Sequence, residues 1–196
     1  MTRSMRRFLK IICVCALGAV VTGCQTSRSR VSVDYYQIEG ASTADLDRDI
    51  RRKGPVIGDG KHAVAVARIK IIPNVAFKQA KRGCSVSRAK VAVDAKVTLP
   101  QWQGRASADK KLGQAWDNVD RYTRMHEAVH VAMAFNYAKR MEQELRALPP
   151  LPTCSDARQK ATALVQRLLE EHDSQQKEFD AKEQRRFSML AKRPRA

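Results

Sequence analysis

Pro149-Pro150-Leu151-Pro152 separates two long segments that both read as amphipathic helices, and this arrangement constrains the fold more than any other feature. Proline lacks the N–H that a helix interior needs and restricts the residue before it, so the run is a hard stop. Upstream, Leu112, Trp116, Val119, Met133 and Tyr137 recur at three- and four-residue steps in a segment ending near Ala147. Downstream, Thr153 with Asp156 makes a capping box, and Val165, Leu168, Leu169, His172 and Phe179 form the stripe of a second helix. Two such helices with a short connection predict an antiparallel hairpin.

The preceding residues follow a different period. Tyr35, Tyr36 and Ile38 predict a short strand ending at Gly40, and Thr43 caps a short helix through Ile50 that Gly54-Pro55 stops. From His62 to Leu99 strands are expected: Val64, Val66, Ile69, Ile71 and Ile72 run into Pro73-Asn74, and Val91, Val93 and Val97 alternate with smaller or polar residues. Gly83 and its basic neighbours read as the connection of a long hairpin, and Pro100 closes the section. The expected fold is α+β, an N-terminal antiparallel β section packed with a C-terminal antiparallel pair of long helices around a zincin-like metal site. With 196 residues the chain suffices for one core, spanning 34–190, followed by a basic tail over 191–196.

The first 23 residues stand apart. Arg3, Arg6, Arg7 and Lys10 precede an apolar run from Ile11 to Val21, which is well short of the ~20 residues that span a bilayer. Val21-Thr22-Gly23-Cys24 resembles the lipobox of bacterial lipoproteins, which implies cleavage before Cys24 and its diacylation; ordinary secretion is the rival reading. Gln25 after the cysteine favours the outer membrane, facing the periplasm, and residues 24–33 are expected to be a polar tether. Once Cys13 and Cys15 are removed and Cys24 is acylated, Cys84 and Cys154 are left as an even pair in an oxidising compartment. A disulfide is the expectation, with two buried free thiols as the alternative.

The formal charge is +17, and after removal of the signal segment 33 Lys and Arg still face 20 Asp and Glu. In the cytosol this would suggest nucleic acid; for an exported chain the expected partners are anionic lipid head groups, lipopolysaccharide or the cell wall, and no nucleic acid. A solvated surface accounts for most of the charge.

His126-Glu127-Ala128-Val129-His130 carries the chemistry. Two histidines four apart on a helix sit about 40° apart and ~6 Å along the axis, so both rings can reach one ion. Zn2+ held there acidifies water, and Glu127, beside the pair, is placed to take that proton as general base and pass it to a leaving amine. Ordinary core histidines are the bland alternative. A metzincin requires glycine and histidine three and six residues past the second histidine, where Met133 and Asn136 stand. No serine elbow, P-loop or dinucleotide fingerprint is present. For the oxyanion, Tyr35, His62, Tyr122 and Tyr137 are all candidates and none is singled out.

Over Asp34 to Phe187 the chain resembles the bacterial family named domain of unknown function 922, described as predicted secreted zinc-dependent proteases. The resemblance rests on Tyr35-Tyr36, Gly54-Pro55, Cys84, Leu99-Pro100 with Trp102, Trp116, His126-Glu127 with His130, Cys154, and Phe179-Asp180 in this order. It implies an exported, zinc-dependent, peptidase-like protein acting on an unspecified peptide or protein. Glu183, Arg185 and Arg186 depart from the family pattern of threonine, histidine and glycine. If that family histidine touches the metal, this chain completes its site differently or is inactive.

A catalytic zinc requires a third ligand, and His172, Asp180 and Glu183 are candidates. Counting equal lengths from the loop along two antiparallel helices brings the second helix level with the motif near Asp173, which favours His172 as ligand. The resemblance favours Asp180 instead, as ligand or as the group orienting a site histidine; the expectation adopted is His172 as ligand with Asp180 orienting. Three functions are compatible: an envelope metallopeptidase, a catalytically idle zinc-containing lipoprotein, and a peptidoglycan amidase.

Overall fold

The structure is a computed structural model that describes residues 28–58 and 60–191, with side chains through Arg186. The expected signal peptide, Cys24 and the tail from 192 lie outside the described residues. In chain order the elements are β1 (Arg30–Ile38), α1 (Thr43–Lys53), β2 (Val66–Ala80), β3 (Gly83–Trp102), a 3-10 turn (Gln103–Ser107), α2 (Lys110–Arg146) and α3 (Cys154–Ala191). The fold is α+β: a three-stranded sheet, order β1-β3-β2, with the helices packed against it. No helix among the described residues is long and apolar enough to cross a membrane.

The hairpin β2–β3 turns at Lys81-Arg82, and Gly83 follows with φ of 112°, a conformation that a side chain disfavours. A Cβ there would also lie 2.5 Å from the Leu151 carbonyl oxygen. Contrary to expectation, β2 does not stop at Pro73 but continues to Ala80. Pro73 lies opposite Val91, whose N–H goes to Glu142 Oε1 at 2.8 Å, so this pair exchanges no ladder bond and an edge strand accommodates the proline. Pro100 likewise lies inside β3, beyond the last β2 partner at Thr98.

The sheet is mixed rather than antiparallel, because β1 runs parallel to β3 from Arg30↔Asp94 to Ile38↔Trp102. β1 begins inside the stretch expected to be tether. Below Asp94, side chains replace a missing strand on that edge of β3: Val93 N–H donates to Ser29 Oγ at 3.0 Å, and Arg146 donates to the Ala89 carbonyl at 2.7 Å. Such capping occupies part of the edge that another strand would otherwise extend.

Odd-numbered β3 residues Ala89, Val91, Val93 and Ala95 meet Ala134, Ala138, Met141 and Leu145 of α2, with Ala161 and Leu168 of α3 completing the core. Alanines on both layers permit close approach. A second cluster gathers Ile38, Leu46, Ile50, Trp102, Leu112 and Trp116, with the two indoles edge-to-face at 5.9 Å. Val119, expected in the core stripe, is exposed; Thr123 and Glu127 occupy the sheet-facing line instead.

Ser42 caps α1, one residue earlier than expected, by accepting from the Asp45 amide. Asp49 fastens this helix to the end of β1. Its buried carboxylate is held well below the usual range by the Lys53 ammonium, the Arg52 guanidinium and the Glu39 amide. Its stabilisation is therefore complete above about pH 4, the unfolded value, and lost as pH falls toward the folded one. Asp49→Asn should lower the melting temperature at pH 7, and parent and variant curves should converge below about pH 4. An unchanged gap in acid would show that the ion pairs contribute nothing.

Cys84 and Cys154 form a disulfide, with Cα atoms 5.0 Å apart and 70 residues between them in sequence. Beside it, Cys84 and Leu151 exchange both backbone hydrogen bonds, at 2.7 and 2.8 Å. Unreduced tryptic peptides should contain the Cys84–Cys154 link by mass spectrometry, and its reduction should cost about 4 kcal/mol of stability in the chain-entropy model. Two alkylatable thiols in native protein would contradict this.

Candidate metal centre

α2 and α3 run antiparallel, locked midway by a closed ring of ion pairs. Arg140 binds Glu144 and Glu171, and Arg167 binds the same two carboxylates, all within 2.5–2.7 Å. Further along, His130 lies beside Gln176, His126 beside Asp180, and Tyr122 beside Glu183. The Nε2 atoms of His126 and His130 are 3.1 Å apart, and Asp180 Oδ1 lies 3.2 and 2.9 Å from them. Phe179 seats both rings, stacked on His126 at 4.9 Å and edge-on to His130 at 5.2 Å.

Hydrogen bonds decide which ring nitrogens face inward. The Gln176 amide donates to the His130 carbonyl at 3.1 Å and faces His172 Nε2 at 2.8 Å. Its Oε1 therefore accepts from His130 Nδ1. On the other side Tyr122 donates its hydroxyl proton to Glu183 at 2.6 Å, leaving its oxygen, 3.4 Å away, to accept from His126 Nδ1. Both rings so held carry the proton on Nδ1 and a lone pair on Nε2. Two imidazole lone pairs and a carboxylate oxygen then converge within 3.2 Å. These repel one another unless a cation lies among them. Tetrahedral zinc with bonds near 2.0–2.1 Å places its ligands about 3.3 Å apart, so the donor set fits.

Burial, and after it the neighbouring His130, push the His126 ring below its usual value and favour the neutral, ligating form. Glu127 is buried against the start of β2. Loss of water raises its carboxyl above the usual range, against the opposing pull of His130 and the Ala67 amide. Between α2, α3 and the chain entering β2 opens a cleft of 560 Å³, walled by Val64, Ala65, Val119 and Thr123, with His126 and Glu127 at its floor.

Of the sequence-predicted residues, the structure brings together His126, Glu127, His130 and Asp180. His172, expected as third ligand, is not among the converging atoms: it is buried, its Nδ1 faces Asp173 at 3.1 Å and its Nε2 faces Gln176. The cause is axial register. Cys154 is tied to the hairpin end, and Arg158 lies over the Phe77 ring of β2, so α3 begins beyond the end of α2. Equal counting from the loop is offset by more than one turn, and Asp180 arrives where His172 was expected. Glu183 bonds Tyr122 and lies 3.7 Å from Arg186, joining two departures from the family pattern. Gln176 and the Tyr122–Glu183 pair escaped sequence reasoning, although His172, Gln176 and Asp180 recur every four residues on one helix face. Of the oxyanion candidates, Tyr122 has committed its proton, Tyr35 accepts from Arg124, His62 bonds the Gly54 carbonyl, and Tyr137 packs on His172.

A mixed sheet carrying a helix hairpin, with two histidines and a carboxylate converging at mid-height, defines an α+β protein with a metal-type donor set. Residues 33–187 match the model of the family described as bacterial protein of unknown function (DUF922), and the chain belongs to that family. No curated protein and no solved structure matches it.

Asp180→Ala should abolish high-affinity zinc binding by the purified protein, whereas His172→Ala or Gln176→Ala should weaken it about 10–100-fold, the effect of groups that orient ligands. Calorimetric titration with zinc decides the order, and a larger loss for His172→Ala would return that residue to the ligand set.

Proposed function

We propose that the chain is an exported, zinc-dependent peptidase, anchored by lipid at Cys24 in the bacterial envelope. The observation that carries this reading is the convergence of His126 Nε2, His130 Nε2 and Asp180 Oδ1 beside a buried glutamate. These three atoms would hold the ion. Zinc, when bound, supplies a Lewis acid that polarises a carbonyl and makes water acidic near neutral pH. Glu127 takes a proton from the attacking water at its carboxylate and delivers it to the leaving nitrogen as the carbon–nitrogen bond breaks. Its buried position keeps its proton affinity close to that task. Tyr122 and Gln176 keep the two imidazoles from rotating while charge develops. The largely apolar cleft beside Glu127 receives a substrate side chain next to the scissile bond.

Glu127→Gln should retain zinc at near-parental affinity while hydrolysis of casein or of a mixed peptide library falls about 10²–10⁴-fold. Zinc retained with no hydrolysis by the parent on either substrate, or on purified peptidoglycan, would sink the peptidase reading and leave a binding lipoprotein.

A further inference from the structure

Positive charge is segregated in this molecule. The hairpin from Val66 to Trp102 carries eight Lys and Arg and one Asp, whereas α2 with α3 through Arg186 carries 14 cations and 12 acids. Strand alternation determines where the hairpin's cations point. Odd residues such as Ile69, Ile71, Val91 and Val93 face the helices. Arg68, Lys70 and Lys78 of β2 and Arg88, Lys90 and Lys96 of β3 therefore leave the strands on the opposite face, Lys90 beside the edge that Glu142 of α2 reaches, and all six are exposed. Among the described residues, the helices that pack on the strands through Ile69, Ile71, Val91 and Val93 lie on the other face. Ile72, 40% exposed, lies among the cations.

Local acids neutralise little of this array. Lys96 binds Asp34 at 2.7 Å, Arg30 reaches Asp94 at 4.0 Å, and Lys90 reaches Glu142 at 4.0 Å. Lys70, Lys78 and Arg88 make no ion pair among the described residues. Solubility alone would scatter cations over both layers.

We propose that the open face of the sheet is a docking surface for an anionic lipid bilayer. The cations form a two-dimensional array across two paired strands, complementary to a plane of negative head groups; a linear polyanion would be matched by a stripe or groove. Ile72 can enter the interfacial region. Placement agrees as well, in a clause that rests on the lipid-anchor reading: Cys24 stands six residues before Arg30, roughly 20 Å at full extension, so an anchored chain keeps this face near the bilayer.

The test uses protein beginning at Gln25, which contains every described residue and no acylation site, so failure here is separate from failure of the anchor reading. Co-sedimentation with phosphatidylglycerol-containing vesicles should exceed that with pure phosphatidylcholine by about tenfold or more, and should vanish near 1 M salt, where screening acts within about 3 Å. Lys70→Glu, Arg88→Glu and Lys90→Glu together should remove the preference. Lys139→Glu, Lys160→Glu and Lys177→Glu, an equal change of net charge on the helices, should leave it within about threefold. Circular dichroism verifies that both variants fold, and the triple glutamine variant of the sheet residues serves if the glutamates do not. Equal losses in both variants, no preference for anionic vesicles, or tighter capture by soluble heparin than by vesicles would each overturn the proposal.

Discussion

The convergence of His126, His130 and Asp180 depends on how far α3 is shifted along its axis relative to α2, and that shift is determined at the opposite end of the helix pair. The disulfide from Cys154 and the paired backbone bonds between Cys84 and Leu151 pin the first turn of α3 to the end of the β hairpin. Asp180 lies 26 residues on, about 39 Å along a helix that does not stretch. The ring of Arg140, Glu144, Arg167 and Glu171 holds the register midway. Exposed pairs of this kind stabilise weakly one at a time, but a closed ring has a single axial position at which all four distances are satisfied. A shift of one turn would place Gln176, or Glu183–Gln184, opposite the histidines in place of Asp180.

The same register supplies the groups that aim the histidines. Gln176 is one turn from Asp180 and one turn from His172, so an amide able to donate and accept at once falls between His130 and the buried His172. Asp173 sits on the far nitrogen of His172 and completes a polar chain running from solvent to His130. Tyr122 and Glu183 form the matching arm for His126. Each arm takes up an Nδ1 proton and sends an Nε2 lone pair inward, an arrangement unfavourable for the protein alone and favourable around a cation. His172 thus belongs to the site through Gln176.

Much of this was legible in the sequence, because the signals involved are local. The triple proline, the Thr153–Asp156 box, the hairpin at Gly83 and the two histidines four apart each depend on residues within a turn or two. What escaped depended on contacts distant in sequence. The parallel pairing of β1 with β3 is invisible to alternation, since a strand shows the same period in either direction. Pro73 reads as a stop until β2 is known to be an edge. The offset of α3 follows from the disulfide's attachment point, which no count from the loop includes, and it brings Asp180 rather than His172 up to His126 and His130.

Two buried carboxylates show how the fold moves proton affinity in opposite directions. Asp49 has a lysine, an arginine and a backbone amide around it, so its negative charge is fully met and its proton affinity is depressed. Such a group titrates only in strong acid and contributes by fastening α1. Glu127 lies on the line of α2 that also carries Trp116, Ala134 and Met141, where an apolar residue would pack without penalty. Instead the position holds an acid with one backbone amide and a neighbouring imidazole for support, and its proton affinity rises. A carboxyl held in a core position with less support than Asp49 has gives up stability there. Beside a cation among His126, His130 and Asp180, the same burial that penalises the free carboxylate would strengthen its hold on a proton taken from water.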